Sequence, residues 1–599
     1  MSERSVDSTE RRISSIERFR SRWRELTGLL LVVAVRLMTL PRTPWEADEF
    51  LFLQAVVDFD PSRYHPHPPG YPLYVFLGKV VNLVVQAPFA SLVIVSLISC
   101  AIGFLALCRA FERMSGDRDV AVGGALLFYL SAGMLVHSTL ALADGAALMF
   151  LALTFAASAG EGFRGVPRSS SGSSGSSEAQ TPEELRGTRG TRGTVLLGAF
   201  ASAAIGCRPQ LSIALLPALA VLFLLSKRRW TLLAAFTAMS LLWFVPLVVQ
   251  CGGIQGFLDY ELKQAAYFAQ HDAGQSRGAM SVAQVAVRFI AHPWGAKWVA
   301  GPVMLLAGIG LARRRPHLAF ALFCAIHLGF AIATMDPADG VRYSLPGQML
   351  IAFLAANALR RFSLPIAIVL GALSFWYASP ILLERAAKPS APAQAAAYID
   401  GYLPRDAVIV KQPATQTIVD WYFDDRRTIQ LEEALRQEID APMVLLADGG
   451  STAPDAKVFA WRESDAYGKL TRNVFRNITV DPIRAEERYV PERGVFALER
   501  NPRGEEWRWL APAATLRLPP LGRNAVLIDL RLPADAPWDA NEVTINGMTI
   551  PVTKGASPRL IPFAPVLELR SAKSYRPADV LKNRDARVVA VQLVRIEQR

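Results

Sequence analysis

The chain has 599 residues and a formal net charge of +12, and 52% of its residues are hydrophobic. Its mean hydropathy of +0.25 is too high for an ordinary soluble protein, so the composition indicates an integral membrane protein. The positive charge does not indicate nucleic-acid binding, because the basic residues stand in short clusters between apolar runs instead of gathering on one soluble face.

The five cysteines stand within or beside apolar runs, and none lies after residue 324. No two of them form a C-x-x-C pair. The pattern argues against a disulfide framework and against a structural zinc site.

About eleven apolar segments are candidates for membrane-spanning helices, each of which needs about 20 mostly apolar residues. The predicted spans are 26–41, 88–110, 119–140, 143–160, 194–206, 209–226, 230–251, 295–312, 316–335, 344–359 and 362–382. The Arg-rich stretch 1–25 precedes the first span, and no small-residue cleavage site follows that span. This arrangement predicts a retained signal anchor with a cytoplasmic tail.

Basic clusters recur in every other loop between these spans, as the positive-inside rule expects of cytoplasmic loops. The clusters are Arg109, Arg113 and Arg118; Arg164, Arg168, Arg186, Arg189 and Arg192; Lys227, Arg228 and Arg229; Arg313, Arg314 and Arg315; and Arg360 and Arg361. An odd number of spans then puts residues 385–599 on the outer side of the membrane. The Ser/Gly-rich part of 161–193 predicts a flexible cytoplasmic loop.

The last third of the chain has the composition of a soluble protein. A helical stretch at 391–403 alternates with β-type runs at 407–410 and 443–446, which predicts an α/β region. Further on, Asn546-Gly547 between two β-type runs predicts a tight hairpin, because both turn positions need positive φ. The predicted domains are a transmembrane domain over 26–384, an extracytoplasmic α/β region over 385–500 and a β-sandwich-like module over 501–599.

The first outer loop, 42–87, contains two neighbouring carboxylates. A helix beginning near Glu46 would place Asp48 and Glu49 in its first turn, where the helix dipole favours negative charge. Its apolar residues would let the helix lie along the bilayer surface: Phe50, Leu51, Leu53, Val56 and Val57. The alternative interpretation is an interfacial helix without a catalytic function.

The same loop continues into a proline-rich stretch, His65-Pro66-His67-Pro68-Pro69-Gly70-Tyr71-Pro72. Proline removes N–H donors and biases the preceding residue toward extended backbone, so the stretch predicts a stiff entry into the apolar segment 73–85. His65 and His67 suit either a metal site or hydrogen bonds to a phosphate. The alternative interpretation is that both are ordinary polar loop residues.

Three charged residues stand at the predicted outer membrane boundary. Asp144 opens an apolar helix, where an ionisable residue is costly and indicates a functional site unless it only caps the helix. Arg208 and Arg342 are of the residue type that binds phosphate oxygens in a fork, unless they only extend to the interface. Arg36, within the first span, is expected to pair with a carboxylate.

The order of these motifs resembles the GT-C glycosyltransferases. The shared features are an Arg-bearing first span, the Asp-Glu pair, the His-Pro-Pro stretch, an Asp opening the fourth span, and Arg342-Tyr343-Ser344-Leu345-Pro346. Within that group the chain is most similar to the branch of protein O-mannosyltransferases, aminoarabinose transferases and lipopolysaccharide-core sugar transferases. The resemblance covers about residues 26–382 and implies a polytopic α-helical fold.

The resemblance implies an inverting transfer of a sugar from a polyprenyl-phosphate donor to a lipid, glycan or protein acceptor at the outer membrane face. Asp48 corresponds to the general base, which accepts the acceptor's proton. Glu49 would orient the acceptor or a metal, and Asp144 would complete the polar site. The sequence leaves open which of Asp48 and Glu49 is the base.

The resemblance also implies roles for six further residues. The donor phosphate would be bound by Arg208, Arg342 and Tyr343, and the substrate loop would contain His65, His67 and Tyr71. Members of such families differ in whether they need a divalent metal. His65, His67 and Glu49 are the candidate ligands if this chain needs one.

Two other function classes compete with a transferase. A flippase or transporter of lipid-linked glycans would need polar residues through the middle of the membrane and commonly an internal repeat. A non-catalytic glycan-binding receptor would tolerate loss of Asp48 and Asp144. The polar residues lie on one side of the membrane and no repeat is present, so the sequence favours the transferase.

Overall fold

The computed structural model describes residues 23–158, 183–267, 280–313, 316–434, 441–451, 455–462, 464, 466–471, 475–484, 487–501, 505–519, 521, 523–555, 557–581 and 585–599. Most of the predicted N-terminal tail, most of the predicted loop 161–193 and residues 268–279 of the outer loop 252–294 lie outside the described residues.

The chain forms two compact units. Unit 1 contains Met1–Lys388 and the separate segment Glu463–Asn473. Unit 2 contains Pro389–Arg462 and Val474–Arg599. A short piece of the C-terminal third therefore belongs structurally to the helical unit.

Unit 1 is built from helices. They are α1 (23–38), α2 (Ala47–Val57), α3 (Pro72–Val85), α4 (Pro88–Ser115), α5 (Arg118–Tyr129), α6 (Ala132–His137), α7 (Asp144–Ser158), α8 (Glu183–Cys207), α9 (Ser212–Leu225), α10 (Arg229–Gln250), α11 (Ile254–Tyr267), α12 (Val282–Ile290), α13 (Lys297–Arg313), α14 (Leu318–Thr334), α15 (Gly340–Leu359) and α16 (Ser363–Ala387). Their ends follow the chain's local chemistry. For example, α4 starts with Pro88, and Gly116, with φ of 69°, caps its C-terminus. The Asp117 carboxylate then caps the N-terminus of α5.

One predicted span differs from the structure. The segment 119–140 is not a single helix, because α5 ends at Tyr129 and α6 begins at Ala132. The Ser131 hydroxyl accepts a hydrogen bond from the Met134 N–H, so a polar cap interrupts the apolar run. The outer loop 252–294, in turn, contains α11 and α12.

Three helical runs in the described part of the chain are long and apolar enough to cross a membrane: Pro88–Ser115, Arg229–Gln250 and Pro337–Tyr402. Val282–Trp294 and Lys297–Arg313, bent by 96° at their junction, make a fourth if they form one broken span. Five further apolar helices are shorter, at 10–17 residues. The count of eleven spans stays a prediction.

Arg36 in α1 is fully buried. Its guanidinium donates to the carbonyl oxygens of Tyr129 at 2.7 Å and Val32 at 3.2 Å, and to the Ser138 hydroxyl at 3.1 Å. Within the described part of the chain, Arg36 has no carboxylate partner, contrary to the expected pairing. Neutral acceptors satisfy this buried cation.

Helices α13 and α15 approach closely at Gly310. A Cβ added there would overlap the Leu354 backbone carbonyl, which cannot rotate away. Two residues earlier on α13, Gly308 has open space around its Cβ position. Small residues at such crossings let helix backbones pack tightly within a membrane.

We expect Gly310→Val to lower the free energy of unfolding by about 1–3 kcal/mol, because the new side chain overpacks the α13–α15 crossing. Gly308→Val is the matched control in the same helix and should change stability much less. Thermal unfolding of the purified protein in detergent would measure both. Equal midpoints for the two variants would contradict the described packing.

Unit 2 begins with α17 (Ala391–Tyr402) and a five-stranded sheet, as the predicted α/β alternation indicates. Its strands are β1 (Val408–Lys411), β2 (Thr428–Gln430), β3 (Met443–Asp448), β4 (Lys457–Ala460) and β5 (Asn477–Pro482), in the order β2-β1-β3-β5-β4. β1 is parallel to β2 and β3, whereas β5 is antiparallel to β3 and β4. The apolar β1 and β3 are buried, as central parallel strands require.

A second sheet of eight strands follows. Its strands are β6 (Val490–Arg500), β7 (Glu506–Arg517), β8 (Ala525–Arg531), β9 (Ala540–Ile545), β10 (Met548–Thr553), β11 (Ser557–Pro562), β12 (Val566–Ser571) and β13 (Val591–Gln598). Asn546 and Gly547 join β9 to β10 with φ of 47° and 89°, which confirms the predicted hairpin. The β-sandwich and its boundary at residue 501 stay predictions.

Candidate active site

Helix α2 places the two predicted carboxylates in its first turn, with Glu46 at the N-cap position. The predicted position of this helix on the bilayer surface is wrong, because Phe50, Phe52 and Leu53 are fully buried around it. Apolar residues occupy most of its circumference, so the helix packs inside unit 1 against α3 and α4.

The Glu49 carboxylate accepts hydrogen bonds from backbone N–H groups. Its Oε2 accepts hydrogen bonds from the N–H groups of Trp45 at 2.7 Å and Glu46 at 2.9 Å, and its Oε1 accepts from the Ala141 N–H at 2.8 Å. The side chain is fully buried. Glu49 therefore ties the start of α2 to the segment that precedes α7.

Arg342 is the centre of the site. It lies in the first turn of α15, is buried, and donates from Nη1 to Asp48 Oδ2 at 2.7 Å and from Nε to Asp144 Oδ2 at 2.9 Å. The Asp144 side chain is only 2% exposed, whereas that of Asp48 is 25% exposed. Of these two carboxylates, Asp48 is the one that solvent or a substrate can reach.

Arg208 completes the network from the break between α8 and α9. It forms an ion pair with Asp144 Oδ1, and its guanidinium carbon lies 5.4 Å from the centroid of the Tyr343 ring. Asp144 thus holds one arginine with each oxygen. The side chains of these three charged residues are buried and paired with one another.

The proline-rich loop places two of its three candidate residues beside one another. The rings of His67 and Tyr71 lie 5.1 Å apart, both against Phe52, and the Tyr71 hydroxyl accepts a hydrogen bond from Gln210 at 3.1 Å. His65 instead forms a backbone bridge with Asp60. The loop is thereby connected to the segment that carries Arg208.

Neighbouring positive charges favour the ionised form of Asp48. Burial opposes its ionisation, but the charges of His67, Arg342 and Arg208 outweigh burial and hold the pKa of Asp48 below its ordinary value. Burial also lowers the pKa of His67. Burial and the charge of Glu46 raise the pKa of Glu49 to about 7.

Three residues at the site were not predicted from the sequence. Glu46 Oε2 lies 3.8 Å from Arg342 Nη1, and Glu46 Oε1 accepts a hydrogen bond from the Thr471 hydroxyl at 3.2 Å. His137 Nδ1 lies 3.9 Å from that same Glu46 oxygen. Glu46 stands in the acidic stretch that the sequence already singles out, whereas nothing in the sequence relates it to Thr471.

Among the residues that the structure describes, no group of three or more His, Cys, Asp or Glu side chains could hold a metal ion. Both oxygens of the candidate ligand Glu49 are engaged by backbone N–H groups.

No family model matches the sequence, and no curated protein matches it. Among solved structures, the chain is similar to the crystal structure of ArnT from Cupriavidus metallidurans bound to undecaprenyl phosphate. The TM-score is 0.50 at 14% identity, over 76% of this chain and 97% of that chain. At this identity the likeness shows that the two chains share a fold.

The same ArnT in the apo state gives a TM-score of 0.47 at 14% identity, over 76% of this chain and 96% of that chain. A mutant of the arabinofuranosyltransferase AftD from Mycobacteria gives 0.39 at 10% identity, over 96% of this chain and 61% of that chain.

Proposed function

We propose that this chain is a glycosyltransferase that moves a sugar from a polyprenyl-phosphate donor to an acceptor at the outer face of the cytoplasmic membrane. The observation that carries the proposal is the buried network in which Asp144 holds Arg208 and Arg342, with the accessible Asp48 on Arg342. The likeness of the fold to a structure bound to undecaprenyl phosphate supports the class of donor.

The two arginines would bind the donor phosphate. A guanidinium pairs with phosphate oxygens through two parallel hydrogen bonds, and a buried guanidinium stabilises the charge that develops when the sugar–phosphate bond breaks. Asp144 holds both groups in place before the donor arrives. Tyr343 lies within 6.0 Å of both guanidinium carbons and fills the space beside them.

Asp48 would be the general base. The acceptor hydroxyl attacks the anomeric carbon opposite the phosphate, its proton passes to Asp48, and the sugar–phosphate bond breaks to release polyprenyl phosphate with inversion. Arg342 binds Oδ2 of Asp48 in the structure and so orients this carboxylate, and Oδ1 would take the proton. Glu49 serves as a positioning residue, since backbone N–H groups occupy both of its oxygens.

The remaining parts of the proposal concern architecture and substrate access. The N-terminus lies in the cytoplasm, about eleven helices span the membrane, and residues 385–599 lie outside with a β-sandwich at 501–599. His65, His67 and Tyr71 belong to the loop that admits the substrate. The acceptor is a lipid, a glycan or a protein.

The pH dependence of kcat/KM distinguishes the two candidate bases, because this ratio reports the ionisation of the free enzyme. A carboxylate acts as a base only when ionised, so the rate falls as the pH drops through its pKa. With Asp48 as the base, whose pKa lies below its ordinary value, we expect no acidic decline between pH 8 and 5. A decline starting near pH 7 would instead indicate Glu49, whose pKa is about 7.

Donor recognition can be tested without turnover. We expect undecaprenyl phosphate to bind the purified protein in native mass spectrometry at least about tenfold more tightly than undecaprenol, because only the phosphate pairs with the arginines. Arg208→Ala should remove most of that preference. Arg229→Ala, at an exposed arginine at the start of α10, is the control. Equal binding of the two lipids would contradict the proposed donor class.

A further inference from the structure

The segment 466–471, which we name the strap, is packed into unit 1 although it lies between β4 and β5 in sequence. Four of its side chains are almost completely buried: Ala466, Tyr467, Leu470 and Thr471. Gly468 and Lys469 are exposed. The strap is therefore anchored by one face.

One hydrogen bond of the strap ends at the acidic start of α2, and a second ends at His137 beside it. The Thr471 hydroxyl donates to Glu46 Oε1 at 3.2 Å. The Leu470 carbonyl accepts from His137 Nε2 at 2.8 Å, and the other ring nitrogen of His137 lies 3.9 Å from the same Glu46 oxygen. Glu46 thus accepts a hydrogen bond from the strap, and His137, which binds the strap, lies beside it.

The strap also fixes the residue before Glu46. Tyr467 stacks on Trp45 with ring centroids 6.1 Å apart and an angle of 3° between the planes. The Arg385 guanidinium lies 4.5 Å from the Trp45 ring centroid. The backbone N–H of Trp45 in turn donates to Glu49, so Trp45 connects the strap to the first turn of α2.

Glu46 and Asp48 both lie close to the same nitrogen of Arg342. Nη1 of Arg342 lies 2.7 Å from Asp48 Oδ2 and 3.8 Å from Glu46 Oε2. Glu46 is 1% exposed, so it does not touch a substrate. Charges at this separation interact strongly where water is excluded, and the position of Glu46 therefore affects how firmly Arg342 is directed toward Asp48.

We propose that the strap is a positioning element of the active site, and that Glu46 is a positioning residue through which Thr471 aligns Arg342 with Asp48. The inference rests on the proposed transferase function. It adds a contribution from the C-terminal third of the chain to a site otherwise formed by the helical region.

The test compares kcat and KM for the donor lipid in four variants of the full-length protein. Thr471→Val removes the hydroxyl and should lower kcat about fivefold, the effect of one hydrogen bond. Thr471→Ser keeps the hydroxyl and should restore kcat to within about twofold. Glu46→Gln should lower kcat about 10- to 100-fold, as loss of a buried charge at a positioning site does. Thr549→Val, at an exposed threonine of β10, should match the wild type.

In each case we expect KM for the donor to stay within about twofold of the wild type, because the strap does not contact Arg208, which also binds the phosphate. General misfolding would change both constants and would not be rescued by serine. If Thr471→Val and Glu46→Gln both transfer sugar at the wild-type rate while Asp48→Asn is inactive, the inference about the strap is overturned. The proposed function would then still stand.

A second measurement does not need activity. Backbone hydrogen exchange at 466–471 should be slow in the wild type and faster in Thr471→Val, and unchanged in Thr549→Val. Fast exchange of the strap in the wild type would overturn the inference. Absence of transfer by the wild type would contradict the proposed function, and the exchange result would still decide whether the strap is fixed.

Discussion

Asp48→Asn is expected to lower sugar transfer about 10²- to 10⁴-fold, the usual contribution of a general base. Asparagine has the size of aspartate and retains an oxygen that can accept from Arg342, so the fold should persist. The amide cannot take a proton from the acceptor hydroxyl. The measurement is the initial rate of transfer from a polyprenyl-phosphate sugar, normalised to the amount of folded protein.

Asp58→Asn is the matched control, because Asp58 follows α2 and its side chain is 54% exposed. We expect this variant to transfer sugar at the wild-type rate. A rate for Asp48→Asn within tenfold of the wild type would contradict the assignment of the base. Inactivity of Glu49→Gln in a folded protein, combined with an active Asp48→Asn, would assign the base to Glu49.

Asp144→Ala is expected to destabilise the protein by about 3–5 kcal/mol, because it leaves buried positive charge without its partner. Asp144 is the common partner of Arg208 and Arg342, and all three side chains are buried. We also expect loss of transfer, since neither arginine would keep its position for the phosphate. The measurement is the thermal unfolding midpoint in detergent together with the transfer rate.

Asp539→Ala provides the control for this substitution, because the Asp539 side chain is 95% exposed. Its loss should leave both midpoint and rate unchanged, as surface ion pairs contribute little. A double variant, Asp144→Ala with Arg208→Ala, should recover part of the lost stability because one unpaired charge is removed. An unchanged midpoint in Asp144→Ala alone would contradict the buried network.

The sequence predicted the members of the central network better than their arrangement. Asp48, Asp144, Arg208 and Arg342 were placed on one side of the membrane by the alternation of basic loops, and the structure brings the four together. The sequence could not indicate that Asp144 divides its two oxygens between the arginines. That pairing depends on how α7 and α15 meet, which no local pattern encodes.

The remaining differences have specific causes. The surface position predicted for α2 was wrong. Apolar residues cover most of the circumference of this helix, and a prediction that considers one face alone treats such a helix as amphipathic. The hairpin at Asn546 was predictable because two positive-φ residues are a local requirement. The contact between Glu46 and Thr471 was not predictable, because it joins residues 425 positions apart in the sequence.

The central claim is tested most directly with the wild-type protein in proteoliposomes and a polyprenyl-phosphate donor that carries a radiolabelled sugar. We predict that label moves to an acceptor in a bacterial membrane extract, with one polyprenyl phosphate released for each sugar transferred. An intact donor that only crosses the bilayer, or that is bound without turnover, would contradict the account and indicate a transporter or a receptor.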